Sequence, residues 1–324
     1  MTFVEELYNQ VLEGKPLTKA DAMRLYEEAP LEELTEKANK IREHFCHNGF
    51  DICTIVNAKS GRCSENCRFC AQSAHNPTHV MEYPLLSTDK IVEQAKINEA
   101  QGILRYSIVT SGRKLSDEDV DKVCETIRTL KKETNIAICV SFGLLDEKNF
   151  RKLKEAGACR VHNNLEAAQS FFPKVCTSHT FEDKVAAIKA AKAAGLSVCS
   201  GGIMGLGESP EDRIDMALSL RELDIHSVPI NMLNAIPGTP MEHNRRLTND
   251  DMRRIVAVYR FILPDASIRL AGGRGLLPDK GRACFLSGAN AAISGDMLTT
   301  SGITMSTDMK LLQELGYEAK RCHD

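Results

Sequence analysis

The spacing of apolar positions changes character near residue 50. Before it, apolar side chains recur at helical intervals, most regularly from Leu31 to Phe45, and Thr18 stands where a helix-starting hydroxyl belongs. After it, short apolar runs alternate with longer amphipathic stretches. The runs Asp51–Asn57, Leu104–Val109, Ile136–Phe142, Cys159–Asn163, Leu196–Gly201, Ser227–Asn231, Ser267–Leu270 and Ala291–Gly295 read as strands. The stretches Asp89–Gln101, Asp117–Lys132, Glu147–Ala156, Phe181–Ala194, Pro210–Leu223 and Asn249–Phe261 read as helices. Strand and helix alternating about eight times predicts an α/β fold, a parallel (β/α)8 barrel of TIM type; a doubly wound open sheet would share the period. No low-complexity or Pro/Gly/Ser-rich linker divides the chain. The expected organisation is therefore a helical extension over residues 1–50 and one catalytic barrel domain over 51–324.

Charge is nearly balanced, with 41 basic against 44 acidic side chains, and no basic tract marks a nucleic-acid surface. The first residues lack the charged-then-apolar layout of a secretory signal, and no apolar run reaches bilayer length. A soluble, cytoplasmic protein is expected. Twelve cysteines change this plain picture. A reducing compartment does not favour disulfides, and a chain of this length buries a core without them. Metal or cluster ligation accounts for some of the thiols, and ordinary burial for the rest.

The densest group is Cys63-Ser-Glu-Asn-Cys67-Arg-Phe69-Cys70, just after the first predicted strand. In a parallel barrel, active-site groups gather at that end of the strands. Three soft thiolates so close together suit an iron–sulfur cluster or zinc. On a four-iron cube they leave one iron open for chemistry, whereas structural zinc needs a fourth ligand, for which His75 is available. The CxxxCxxC spacing with an aromatic before its last cysteine resembles the radical S-adenosylmethionine superfamily. That resemblance implies an oxygen-sensitive 4Fe-4S cluster on Cys63, Cys67 and Cys70, with S-adenosylmethionine chelated at the open iron. One-electron cleavage of the sulfonium then gives a 5′-deoxyadenosyl radical. It also implies that Phe69 packs near the adenine, a role compatible with ordinary core filling.

From about residue 40 onward the chain resembles the biotin synthase family, through NAKSGRCSENCRFCAQSAH, SVCSGGIMGLGES, SVPINMLNAIPGTP and SIRLAGGR. The resemblance implies radical insertion of sulfur into dethiobiotin, with the sulfur drawn from a second, sacrificial iron–sulfur cluster deep in the barrel. It further implies a flavodoxin- or ferredoxin-type electron donor, iron–sulfur assembly machinery and a homodimer. A second cluster needs thiolates pointing inward from several strands. Cys53, Cys139 and Cys199 fall on the first, third and fifth strands and Arg269 on the seventh, and barrel interiors stack in layers drawn from alternate strands. Buried cysteines also serve as small hydrophobes. The arginine argues for more, because a buried guanidinium is costly unless an anion meets it. The familiar family pattern carries cysteine where this chain has Ser107, and commonly serine where it has Cys53. The usual 2Fe-2S auxiliary cluster, held by three cysteines and an arginine, is thus short of one ligand. The expectation is an altered auxiliary cluster, of a four-iron type with an extra sulfide; Cys46 precedes the strand and is expected on the rim.

Other candidates follow from the same resemblance. In His162-Asn163-Asn164-Leu165-Glu166, it implies Asn164 between S-adenosylmethionine and substrate, and Glu166 on the ribose hydroxyls. The histidine sits one position from its usual place, so His162 is expected as a satisfied core residue. Asn231 matches a position contacting the dethiobiotin ureido group, which an amide can both donate to and accept from; turn capping is the other reading. The run Gly201–Glu208 is not a GxGxxG dinucleotide motif, and the resemblance assigns it and Ile203 to the adenine. Arg113 and Arg274 are carboxylate partners or solvated surface, and His179 falls where some members have arginine. Cys124, Cys159, Cys176, Cys284 and Cys322 read as ordinary thiols. Three competing readings stay open: a related radical enzyme such as a hydrogenase maturase or methylornithine synthase, a non-catalytic iron–sulfur sensor, and a zinc-stabilised protein.

Overall fold

The structure, a computed structural model, describes residues 1–323. The strands are β1 (Gly49–Lys59), β2 (Arg105–Thr110), β3 (Ala137–Ser141), β4 (Arg160–His162), β5 (Ser197–Cys199), β6 (Gly202–Met204), β7 (Ser227–Met232), β8 (Ser267–Leu270), β9 (Ala291–Ile293) and β10 (Glu318–Ala319). Each of β1 to β9 runs parallel to its neighbours, and β9 pairs back onto β1, so the sheet closes. Helices α1 (Phe3–Leu12), α2 (Lys19–Glu28) and α3 (Leu31–Cys46) precede the barrel. Around it lie α4 (Thr88–Ala100), α5 (Asp117–Glu133), α6 (Glu147–Ala156), α7 (Phe181–Ala193), α8 (Pro210–Glu222) and α9 (Asn249–Ile262). A one-turn α10 (Arg282–Phe285) and the final α11 (Met305–Glu314) complete the set. The expected barrel is therefore the observed fold.

Local chemistry explains the element starts. Thr18, Thr180, Ser209 and Thr248 each form a reciprocal capping box with an aspartate three residues on, an arrangement whose cap is worth about 1 kcal/mol. The three leading helices do not stand apart from the barrel: α3 packs on α9, and α2 on α8 and α9.

The fifth stave departs from the continuous strand that the apolar run predicts. It breaks into β5 and β6, and Pro229 on the neighbouring β7 accounts for the gap, since proline has no N–H to offer the ladder. Gly201 fills the break because a Cβ there would lie 1.9 Å from the Pro229 carbonyl oxygen. At the opposite end, β10 pairs with the start of β1, and the chain continues beneath the barrel floor.

Candidate active site

A cavity of about 400 Å³ connects the loops following the strands with the strand starts. Cys63, Cys67, Phe69 and Cys70 line its mouth; Asn164, Glu166, Ile203 and Asn231 its wall; Cys53, Ser107, Cys139, Cys199 and Arg269 its depth. The sequence-named residues therefore share one space, as do Arg105, Arg160 and Lys184, which the sequence did not single out.

The mouth loop is held by its own backbone and by the segment before α7. Cys63 N–H donates to the Gln72 carbonyl at 3.0 Å, and Arg68 N–H to Val175 at 2.9 Å. Asn76 Nδ2 donates to the carbonyls of Cys67 and Cys70 at 3.1 and 2.8 Å, fixing the turn that carries both thiols. Burial pushes the Cys70 thiol up to about 11. His75 is exposed and its Nε2 lies 3.1 Å from the Ser64 carbonyl, so it does not close a zinc site with the three cysteines. Nor do the three thiols crowd as single-ion ligands do: they do not all lie within 4.8 Å of one another. Beside the loop, Phe69 and Ile203 pack on one small apolar cluster with Phe171, Leu206 and Leu233.

The wall is built by crossing hydrogen bonds between strand ends. Asn164 Oδ1 accepts from Gly201 N–H at 3.2 Å, and its Nδ2 lies 3.3 Å from Glu166 Oε2. Glu166 adopts φ 69°, a left-handed conformation uncommon for a side chain of this size. Its carboxyl is pushed up by burial, with Lys184 pulling the other way. Asn231 donates to the Gly202 carbonyl at 3.1 Å and accepts from Gly272 N–H at 2.8 Å. It bridges two strand ends, so the turn-capping reading is replaced.

Asp51 organises the floor. It is fully buried, and three guanidinium groups meet it: Arg105 at 2.9 Å, Arg269 at 3.0 Å and Arg160 at 3.5 Å. Burial raises its carboxyl, but Arg269, Arg105 and Arg160 outweigh that and bring it to about 2. Asp51 is thus an anion for Arg269 that the layer reading did not include. Guanidinium groups also lie against the thiols. Arg269 Nη1 donates to Cys53 Sγ at 3.2 Å, and Ser227 Oγ to Cys199 Sγ at 3.3 Å. Burial pushes Cys199 up, but a hydrogen bond from His162, with the charges of His162, Arg269 and Arg160, draws it to about 6. His162 is thus no sealed core residue: it faces the cavity beside a thiol. The Ser107 hydroxyl, buried at the same depth, has no hydrogen-bond partner among the described residues.

Several expectations change at the periphery. Arg274 is buried and pairs with Asp308 through two contacts of 2.8 and 2.6 Å, so it is neither solvated nor free for a substrate carboxylate. Arg113 pairs with Glu65 and Asp183. Cys46 sits behind the barrel against Asp265 and Arg260, outside the cavity. Cys124 and Cys284 are core thiols, as expected. Cys159 and Cys176 instead contact site residues, since Cys159 touches Cys139 and Cys176 Sγ lies 3.7 Å from Cys67 Sγ. His179 does not line the cavity; its Nδ1 meets Glu65 at 2.5 Å.

Comparison with known proteins agrees with this geometry. Residues 58–220 match the Radical SAM superfamily model, and 229–318 the Biotin and Thiamin Synthesis associated domain. Biotin synthase of Brachyspira hyodysenteriae is 60% identical over 99% of this chain and 96% of its own. Biotin synthase of Akkermansia muciniphila is 53% identical over 99% of both chains. Among solved structures, methylornithine synthase superposes with a TM-score of 0.84 at 23% identity, over 97% of each chain. The FeFe-hydrogenase maturase of Carboxydothermus hydrogenoformans gives 0.83 at 17% identity, over 99% of this chain and 80% of its own. At such identities these two likenesses speak for the fold alone, while the full-length matches decide among the radical enzymes. The chain belongs to the biotin synthase family of the radical S-adenosylmethionine superfamily.

Proposed function

We propose that the cavity is where sulfur enters dethiobiotin, with two iron–sulfur clusters held at its opposite ends. Cys63, Cys67 and Cys70 hold the 4Fe-4S cluster at the mouth; Cys53, Cys139, Cys199 and Arg269 hold the sulfur-donating cluster below. The observation that carries the reading is the opening of two separate cysteine sets onto one cavity. The donor chemistry fits: soft thiols at both levels, a guanidinium donating to Cys53 below, and an orphaned hydroxyl at Ser107 beside them. When bound, the clusters and S-adenosylmethionine supply the radical that removes hydrogen and the sulfide that replaces it.

The residues between position the reactants and exclude water. Phe69 and Ile203 form an apolar bed for the adenine, Glu166 faces the ribose, and Asn164 stands between cofactor and substrate. Asn231, with one amide hydrogen and one lone pair left after its backbone bonds, meets the ureido group. Cys53 in place of the usual Ser107-position thiol supports an auxiliary cluster of four-iron type with an extra sulfide. The reading includes a flavodoxin- or ferredoxin-type donor, iron–sulfur assembly machinery, a homodimer and a cytoplasmic setting. Among the described residues, no helix is long and apolar enough to cross a membrane.

The test is product analysis by mass spectrometry, with anaerobically reconstituted protein, dethiobiotin, S-adenosylmethionine and a low-potential reductant. Biotin together with 5′-deoxyadenosine is expected. Deoxyadenosine alone would mean an incomplete lower cluster, and neither product from fully loaded protein would overturn the reading. Iron and sulfide counts on Cys53→Ala test the ligand set: loss confined to the lower cluster is expected, and unchanged counts would remove Cys53 from it.

A further inference from the structure

Behind the mouth loop lies a second arrangement of donor atoms. Cys67, Cys176 and His179 bring one ligand atom each within 4.8 Å of one another, the one such trio among the described residues. Cys67 Sγ and Cys176 Sγ are 3.7 Å apart, and Cys176 Sγ is 3.3 Å from His179 Nδ1. With bonds near 2.3 Å to sulfur and 2.0 Å to nitrogen, a tetrahedral zinc ion sets two thiolates about 3.8 Å apart and a thiolate and imidazole about 3.5 Å apart. The observed spacings match those edges.

Glu65 stands outside this trio. Its Oε2 lies 2.5 Å from the same ring nitrogen and 2.8 Å from Ser178 Oγ, a hydrogen-bond distance shorter than the roughly 3.3 Å edge between two light-atom ligands of one zinc. A cation taking His179 Nδ1 would displace that hydrogen bond, and water would fill the fourth position. The two segments that supply the trio are fastened together without any ion. Asn66 Oδ1 accepts from the backbone N–H of Thr177 and Ser178 at 2.9 and 3.0 Å, and Asn66 N–H donates to Ser178 Oγ at 3.1 Å. Cys176 and His179 are both buried, so these donors are shielded from competing water.

We propose that the cluster-free chain binds one thiophilic divalent cation, zinc or ferrous iron, through Cys67, Cys176 and His179. This ion and the mouth cluster exclude each other because both require Cys67, the one point at which the inference rests on the cluster assignment above. A cation here makes cluster loading sensitive to free metal: zinc held at the site keeps the mouth loop from accepting iron.

The test uses the full cluster-free chain with Co²⁺ as probe. One equivalent is expected to give tetrahedral d–d absorption with thiolate-to-cobalt charge transfer. Cys176→Ser and His179→Ala should each weaken binding more than about 100-fold, beyond the 10–100-fold carried by outer-shell partners. Cys63→Ala and Cys70→Ala should leave it unchanged. The reverse pattern, with binding lost in Cys63→Ala and kept in Cys176→Ser, would overturn the proposal, as would no binding at all. A readout free of any variant comes from alkylation of the wild-type chain: zinc should protect Cys67 and Cys176 and leave Cys63 and Cys70 reactive. Equal protection of Cys63, Cys67 and Cys70 would place the ion on the cluster motif and sink the idea. Finally, Cys176→Ser should still take up iron at the mouth cluster after zinc exposure, where the wild type does not. Failure of iron uptake in both, without zinc, would instead count against the cluster assignment.

Discussion

Replacing Asp51 by asparagine keeps the shape of the barrel floor and removes its anion. The structure supplies two routes to the size of the effect. In the first, the carboxyl stands at about 2 instead of 3.8. That depression corresponds to about 2 kcal/mol of stability, present above the unfolded value and lost as pH falls through about 2. Protonation leaves an oxygen that can still accept from Arg105, so this is the lower figure. In the second, the asparagine turns an amide NH2 toward guanidinium groups that lie 2.9 to 3.5 Å from the native carboxylate. Arg105, Arg160 and Arg269 then lose this carboxylate, and breaking a buried pair costs about 3–5 kcal/mol. Asp51→Asn should therefore lose about 3–5 kcal/mol, a large part of a typical domain's stability.

The assay is urea unfolding of the cluster-free chain, since bound clusters would violate two-state behaviour. Far-UV circular dichroism is the probe, because the sequence contains no tryptophan. A second variant sharpens the result. Combining Asp51→Asn with Arg269→Met removes one of the cations that lose this carboxylate and should recover at least about 1 kcal/mol, the coupling expected of residues in direct contact. A single variant within about 0.5 kcal/mol of wild type would refute the account, since surface changes routinely do no more. So would strictly additive losses in the double variant.

Three further outcomes follow from the same geometry. His162→Asn should raise the Cys199 thiol from about 6, so the alkylation rate of cluster-free protein at Cys199 should reach its midpoint at higher pH; an unmoved midpoint would remove His162 from that contact. Gly201→Ala should fail to fold or lose S-adenosylmethionine binding by equilibrium dialysis, because its Cβ would lie 1.9 Å from the Pro229 carbonyl oxygen, well past the ~1–3 kcal/mol range of ordinary overpacking. Arg274→Met strands the buried Asp308 carboxylate and should cost about 3–5 kcal/mol in urea while leaving 5′-deoxyadenosine formation by the surviving folded fraction unchanged.

The barrel was legible because its strands are short apolar runs and its helices carry a second, longer period. What the periodicity could not see was the break between Cys199 and Gly202, which depends on Pro229 in a different strand. The mouth cysteines were legible because they are neighbours in sequence. The lower set required a layer argument across strands, and that argument brought together Cys53, Cys139, Cys199 and Arg269, which line one cavity, without counting the charges around them. Asp51, two residues before Cys53, points to the same interior, and Arg105 stands two residues before Ser107 as Arg160 does before His162. The two-residue period of a strand could have brought all of them into the count. With them included, what stands beside the thiols decides the reading. Arg269 and Arg160 reach Asp51 at 3.0 and 3.5 Å, and Arg269 also donates to Cys53 Sγ at 3.2 Å. A cysteine that only fills space needs no guanidinium in hydrogen-bond contact with its sulfur. Cations and thiols on one cavity floor therefore argue for a place shaped to hold an anionic group, and against three cysteines that merely fill space.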